Sequence, residues 1–554
     1  MHSGGSHEAK PFRNGRWHNF APPYMKFISL IVLLTLMVSL QRMQAQSTPA
    51  IQWQRCFGGS LDDTGYGITA TADGGFLIAG CAGSSDGDLL KGEEIQHGGT
   101  CDFWALKIDA WGNNQFKIHL GGTKSDIART AALMSNGNYA LAGIVESNDV
   151  DVTGNHGIFD YWLVTVSPAG DVLTKKCFGG SKYDDFGSMI ATADGGLALC
   201  GGTQSNDGDV SGNHGDSDYW LVKTDADGNI QWQKCFGGTN YEKAFDLFQS
   251  SDGGFLLAGF TESNDGDVSG NHSTDYDGWV IKTDASGNLQ WQKCLGGSGQ
   301  DGLFKIIELD NQKILAAGYA YSSNGDIAGN KGEEDAWLVL LDAAGEVIWS
   351  KTVGGDSSDR FNSVQQDPLG NFIAGGFTQS VNEDVSFKYG DKDFWLTRFD
   401  TTGQLLWETV YGGTYAEVGY DIALSSEATL GMIGFTSSND FDVSGNHGAI
   451  GNFEVKKDYW VIKLSSVVGI NETTQTVLSL QPTLTSGELQ IPLDDFKESG
   501  CLLRVYDVYG SVKLELEIAS PSSTILDVHK LPGGSYFVEV VSAGKKAVGR
   551  FVKF

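Results

Sequence analysis

The chain has 554 residues and a net charge of -31, with 69 acidic side chains against 38 basic ones. A surface this negative repels nucleic acid and anionic membrane, which excludes nucleic-acid binding; it reads either as a plain solvated surface or as one that attracts cations, divalent metal first among them. Glycine is heavy at 75 residues, about twice its usual ~7% share, which suits many tight turns and argues against long helices.

In chain order, residues 1–24 are polar and read as an extension ahead of the preferred start, Met25. Residues 25–46 read as a signal peptide. Lys26 precedes the apolar run Phe27 to Leu40, and Met43-Gln44-Ala45 supplies the small-residue cleavage site. The run is shorter than the ~20 helical residues that span a bilayer, and no later segment is apolar enough to cross one. The reading is export.

From Ile51 onward a repeat of about 58 residues recurs seven times. Gly-Gly falls at Gly58, Gly121, Gly179, Gly237, Gly296, Gly354 and Gly412, each followed by a second glycine. An Asp-x-Trp triplet keeps the same rhythm from Asp102, Asp160, Asp218, Asp277, Asp335, Asp393 and Asp458. A period of this size marks a solenoid or a propeller. Within one repeat, Ala244 to Ser250, Phe255 to Glu262, Trp279 to Thr283 and Leu289 to Leu295 read as strands separated by Gly, Asn and Asp turns. Four short antiparallel strands are one propeller blade.

Ile51 to Phe57 matches the fourth strand of the other repeats, and the last repeat stops after its third strand at Tyr459 to Leu464. Closing the ring with that N-terminal strand removes both open edges. The expected fold is all-β: a seven-bladed β-propeller over residues 47–466, a linker at 467–474 and a small C-terminal β-sandwich at 475–554. Both tryptophan sets are read as packing between blades, one opening the third strand and one in the fourth. Cys56, Cys177, Cys235 and Cys294 share one repeat position and read as small buried groups. Cys81 and Cys101 lie in one repeat and are placed either to bridge its middle strands or to stay reduced. Cys200 and Cys501 read as unpaired.

The stretch Trp337-Leu338-Val339-Leu340-Leu341-Asp342-Ala343-Ala344-Gly345-Glu346-Val347-Ile348-Trp349 resembles the blade repeat of quinoprotein-dehydrogenase-like propellers. That resemblance implies the fold. It does not imply the cofactor, because those enzymes use a vicinal Cys-Cys pair that this chain lacks.

The Gly-Gly turns and the long polar loops fall on one face, where function concentrates. In the third blade the loop runs Asp207-Gly208-Asp209-Val210-Ser211-Gly212, with Asp218 at its twelfth position. That spacing resembles the calcium loop of an EF-hand. Asp149, Asp151, Thr153 and Asp160 repeat it in the second blade, and Asn324, Asp326 and Asp335 keep most of it in the fifth. The candidate ion is Ca2+, and the competing reading is a loop whose side chains bond its own backbone. His156, His214, His272 and His447, one per loop, read as exposed polar residues rather than zinc ligands. A ring of acids four residues beyond each Gly-Gly, from Asp63 to Glu417, reads first as a turn cap and second as a negative ring for a cation or a polyhydroxylated ligand.

The last ~80 residues carry Thr485-Ser486-Gly487-Glu488-Leu489, Val505-Tyr506-Asp507-Val508-Tyr509-Gly510, Leu531-Pro532-Gly533-Gly534-Ser535-Tyr536-Phe537-Val538 and a terminal Arg550-Phe551-Val552-Lys553-Phe554. This segment resembles the C-terminal sorting domain of type IX secretion substrates, departing at Leu480-Gln481-Pro482-Thr483, where the family has a Pro-Asn-Pro turn. The resemblance implies periplasmic transit, recognition by the type IX secretion machinery, and delivery to the medium or the outer-membrane surface of a Gram-negative bacterium. The functional expectation is a monomeric, non-catalytic binding or adhesion protein for a glycan or protein ligand. The alternative is a secreted polysaccharide- or peptide-degrading enzyme using loop-face carboxylates. The irregular loops of the first, fourth and seventh blades are the expected place for a ligand-specific site.

Overall fold

The structure is a computed structural model. It describes residues 48–466, apart from 90–100, 274 and 449–455, and the C-terminal segments 476–477, 484–485, 487–493, 501–507, 512–518, 523–542 and 545–553. The start-site and signal-peptide readings, and the linker, lie outside the described residues.

The third blade shows how sequence becomes sheet. Its strands are Asp184–Ala191, Leu197–Thr203, Asp218–Thr224 and Ile230–Phe236, paired in that order. The turn after the first strand places Gly195 at φ 89°, a left-handed conformation that glycine adopts without a Cβ penalty. Asp194 accepts the Gly196 N–H at 3.1 Å and so closes that turn. In the turn after the third strand, Asp225 accepts the N–H groups of Asp227 and Asn229 at 3.0 and 2.8 Å. Asp and Asn recur at such positions because their short side chains bond nearby backbone.

Six sheets repeat this order, and the seventh is completed by the N-terminus. Ile51–Phe57 pairs antiparallel with Asp458–Ser466, matching Cys56 to Trp460 and Phe57 to Tyr459. The innermost strands of successive blades touch all the way round, from Asp63–Ala70 through Glu417–Leu424 and back. The seven-bladed closed propeller expected from the repeat is the fold observed.

Third strands such as Asp218–Thr224 are buried at every position, because blades cover both faces. Outermost strands such as Ile230–Phe236 are fully buried only at their last two residues. Trp104, Trp162, Trp220, Trp279, Trp337, Trp395 and Trp460 are wholly buried. They pack between blades: Trp220 meets Tyr161 of the preceding blade at 4.7 Å, and Trp279 meets Tyr219 at 4.5 Å. Several indole N–H groups reach the outer strand of their own blade, as Trp279 does to Gln292 at 2.9 Å. The fourth-strand tryptophans also face the next blade, Trp232 against Phe255 at 5.8 Å.

Cys81, in the second strand Phe76–Ala82, is disulfide-bonded to Cys101, which immediately precedes the third strand Asp102–Ile108. Cys56, Cys235 and Cys294 are buried and unpaired, Cys177 is half-buried, and Cys200 is buried and unpaired. The Cys501 side chain lies outside the described residues.

The C-terminal segments form two sheets. Glu488–Pro492 pairs with Ser523–Asp527, and Cys501–Asp507 lies between Val512–Ile518 and Gly534–Ser542. Leu489, Ile491 and Leu526 of the first sheet share one core with Leu503, Val505, Val538 and Val540 of the second. A shared core between two sheets is a β-sandwich. Among the described residues, no helix is long and apolar enough to cross a membrane.

Candidate functional site

The loop face is organised by one junction, repeated at each blade. In the third blade the Asp184 carboxylate accepts the Gly180 N–H at 2.6 Å and the Ser205 hydroxyl at 3.0 Å, and the Thr203 hydroxyl also donates to it. Asp63, Asp126, Glu242, Asp301, Asp359 and Glu417 take the same N–H from their own second glycine. All seven acids are buried. The ring is a set of turn caps.

The aspartate of each Asp-x-Trp faces this cap across the first glycine. A Cβ on Gly179 would lie 2.5 Å from Asp160 Oδ1 and 2.7 Å from Asp184 Oδ2. A Cβ on Gly180 would collide with Asp207 and Ser205. These close approaches are why the pair is Gly-Gly. Oδ1 has no protein partner in Asp102, Asp160, Asp218, Asp277, Asp335, Asp393 or Asp458. Burial, reinforced by the facing acid, pushes Asp102 and Asp393 up to about 7. Burial also carries Asp160, Asp218, Asp277 and Asp335 to about 6.

The loop residues read as calcium ligands are spread over separate backbone groups. Asp207 accepts the Ser181 N–H at 2.7 Å, and Asp149 accepts the Thr123 N–H at 2.9 Å. Asn324 does the same for Ser298 at 2.9 Å. Asp209 and Asp326 accept the N–H of the first glycine of their turns, Gly179 and Gly296. Asp151 pairs with Lys175 at 3.1 Å. The Ser211 hydroxyl accepts from Gln233 at 2.6 Å, and the Thr153 carbonyl faces the Cys177 thiol. Asp160 and Asp218 bond the N–H and the ring Nδ1 of His156 and His214, and Asp335 takes the Lys331 N–H at 2.9 Å. Among the described residues, no three His, Cys, Asp or Glu side chains are grouped to hold a metal ion. The histidines are exposed, as read, and their rings also lock the buried aspartates.

The residues that differ between blades sit elsewhere. Every innermost strand has a break in register at one place: between Gly65 and Gly67, Ala128 and Thr130, Phe186 and Ser188, Ala244 and Asp246, Leu303 and Lys305, Phe361 and Ser363, and Gly419 and Asp421. A bulged residue leaves the ladder, and its side chain is re-aimed. The seven bulged residues are Tyr66, Arg129, Gly187, Phe245, Phe304, Asn362 and Tyr420. Most of them reach across to neighbouring blades: Tyr66 meets Tyr420 at 5.0 Å, Phe245 meets Phe304 at 4.8 Å, and Asn362 donates to the Gly419 carbonyl at 2.7 Å.

Where the fifth, sixth and seventh blades meet, this wall opens into a cavity of about 470 Å³. Tyr321, Glu334, Ser358, Arg360, Asn362, Phe377, Lys392, Val418, Tyr420 and Phe435 line it. Arg360 is held by Glu334 through two bonds of 2.6 and 2.8 Å, and its guanidinium lies 4.3 Å from the Tyr319 ring centre. Bidentate pairing and stacking on a ring both exploit the planarity of arginine. Lys392 lies over the Phe377 ring at 4.4 Å, and burial together with Arg360 lowers its pKa. The Tyr321 hydroxyl is pushed up to about 12, first by its hydrogen bond to Glu334. The irregular loops of the first, fourth and seventh blades, expected to hold the ligand-specific site, contribute no lining residue; the seventh blade enters the cavity through its strands, with Val418, Tyr420 and Phe435.

No family model matches the chain. Regulatory protein FlaEY of Caulobacter vibrioides is 24% identical over 369 residues, covering 59% of this chain. The chain spans only 38% of that relative's length. Among solved structures, Sqt1 from Chaetomium thermophilum covers 76% of this chain and 100% of its own, with 11% identity and a TM-score of 0.40. The Neurospora crassa Pan2 WD40 domain covers 73% of this chain and 89% of its own at 9% identity and a TM-score of 0.37. The PQQ-bound aldose sugar dehydrogenase of Streptomyces coelicolor covers 76% of this chain and 98% of its own at 9% identity and a TM-score of 0.33. These likenesses carry no argument about function, and the fold rests on the strand pairing described above.

The buried aspartates set a pH dependence. Their folded pKa values lie above the unfolded value of about 3.9. Their contribution is therefore fully stabilising below about pH 4 and is lost as pH rises through about 6 to 7. The melting temperature is expected to rise on going from about pH 8 to about pH 5. Asp393→Asn should flatten part of that rise without lowering the melting temperature at the higher pH. A marked drop for the variant at the higher pH would show that the charge itself is required.

Proposed function

We propose that this chain is an exported, non-catalytic binding protein whose ligand, a glycan or a protein segment, enters the cavity between the fifth, sixth and seventh blades. The observation that carries this is a contrast. The loop-face frame repeats blade after blade, whereas half of the residues lining the cavity, Tyr321, Glu334, Arg360, Asn362 and Val418, recur at their repeat position in no other blade. A scaffold that holds its frame constant and varies one mouth has the geometry of a selective site. Glycoside hydrolysis by the usual route needs two carboxylates on either side of the scissile bond. Glu334 is the one carboxylate among the lining residues, and Arg360 already occupies it. The ring acids, which the enzyme alternative would recruit, are buried and bonded to the Gly-Gly turns.

A blocking substitution tests the site. Tyr183 and Tyr241 stand at the repeat position of Ser358, immediately before the ring acid, so the frame accepts tyrosine there. Ser358→Tyr is expected to fold with an unchanged melting temperature and to lose the ligands that the wild type captures from a glycan and peptide array. Retention of every captured ligand by this variant would remove the cavity from the reading.

In this reading the signal peptide carries the chain to the periplasm, and residues 475–554 address it to a type IX pore. The support is the order of the C-terminal motifs and the sandwich core that several of them enter, through Leu489, Val505 and Val538. In a host with type IX machinery, deletion of 475–554 should leave the propeller in the periplasm while the full chain reaches the surface or the medium. Surface delivery of the deleted form would overturn the assignment.

Calcium at the long loops is a separate proposal, supported by the recurrence of oxygen side chains on a chain of charge -31. The ion would combine loop carbonyls with one or two carboxylates rather than enter a three-carboxylate cage. It predicts a melting temperature that falls in EDTA and recovers with added calcium, and an unchanged value would end it.

A further inference from the structure

We infer that the ligand of this cavity is an anionic saccharide, a hydroxylated ring bearing a carboxylate. This rests on the binding reading above for its place and adds the chemistry.

The first observation is charge. Half-buried and buried lysines elsewhere in this propeller are anchored by oxygen acceptors, some by carboxylates, as Lys107 with Asp73 at 2.8 Å, Lys223 with Asp194 at 2.9 Å and Lys282 with Asp252 at 2.8 Å, and some by backbone carbonyls, as Lys463 with Gly74 at 2.9 Å and Lys388 with Gln379 at 2.7 Å. Lys392 and Lys457 stand at the same repeat position in the sixth and seventh blades, where the third and fourth blades have Ser217 and Tyr276. Among the described residues neither lysine forms an ion pair, and each is held over an aromatic ring, Phe377 at 4.4 Å and Phe435 at 4.3 Å. Both rings line the cavity. A chain of net charge -31 that leaves two neighbouring ammonium groups without a carboxylate presents them to one from outside. Arg360 is set apart from this role, because Glu334 already supplies its countercharge through Nε and Nη2.

The second observation is the rest of the lining. Ser358 and Tyr420 bring hydroxyl groups, and Asn362 keeps its carbonyl oxygen while its amide serves the Gly419 backbone. Phe377 and Phe435 add apolar surface beside them. A bare inorganic anion would leave the rings and the hydroxyl partners unused. An aliphatic acid would leave the polar groups unpaired, which is costly once water is displaced. A sugar acid satisfies all three sets at once. The cavity volume lies within the usual range for small-ligand sites.

Calorimetric titration of the full chain with tetragalacturonate, its fully methyl-esterified form and inorganic sulfate tests this. The acid is expected to bind at least about ten-fold tighter than the ester, a difference of about 1.4 kcal/mol. Lys392→Met and Lys457→Met keep the apolar stem and remove the charge. Each should lose about ten-fold for the acid and leave the ester unchanged, with melting temperatures near wild type. Equal binding of acid and ester overturns the inference, as does sulfate binding as tightly as the acid. Should either variant fail to fold, the acid-to-ester ratio of the wild type decides alone. If neither saccharide binds while array ligands remain sensitive to Ser358→Tyr, the saccharide inference falls and the site stands. If no array ligand is sensitive to Ser358→Tyr, the site itself falls.

Discussion

The hydrogen bond from the second glycine of each Gly-Gly to the buried acid four residues on is the interaction around which this propeller is arranged. In the third blade it joins Gly180 to Asp184 and draws in Ser205 and Thr203. Bonds to an ionised group contribute about 1.5–3 kcal/mol each, and a buried donor left without its partner costs a similar amount. The acid opens the innermost strand of one blade, and the glycines end the outermost strand of the blade before it. The bond therefore fixes how each blade hands the chain to the next. The long loop is tied to the same turn, since Asp207 and Asp209 accept N–H groups at Ser181 and Gly179.

That junction concentrates acids where water is excluded. Asp160 and Asp184 both approach the Cα of Gly179, and Asp160 keeps one oxygen without a protein donor. Close facing acids in a dry site favour one shared proton. The price is electrostatic stress above neutral pH. The gain is a turn so tight that only glycine fits, which holds the loop face in register around the ring.

Against this uniform frame, the bulge in each innermost strand is where variety enters. A residue outside the ladder can change without altering any strand pairing. Tyr, Arg, Gly, Phe and Asn all occur there. The second strand divides the ring: Phe260, Tyr319, Phe377 and Phe435 occupy one column in the fourth to seventh blades, where the earlier blades have Cys81, Ile144 and Gly202. The propeller thus combines a repeated exterior with an asymmetric mouth.

The amino-acid sequence by itself determined the seven blades, the closing strand, the turn residues and the packing of both tryptophan sets between blades, because each depends on short-range spacing. The period of Gly-Gly and Asp-x-Trp counts the blades, and the missing last strand is supplied at Ile51. What a loop oxygen faces is a different kind of fact. The spacing of Asp207, Asp209 and Asp218 matches a calcium loop, yet those three side chains point to three backbone groups. The pairing of Cys81 with Cys101 was likewise open until the second and third strands were laid side by side. Only the tertiary structure decided that Arg360, Lys392, Tyr420 and Phe435 share a cavity. They come from separate segments of two blades, up to 75 positions apart in sequence (435 minus 360), and no local pattern encodes a meeting made by ring closure.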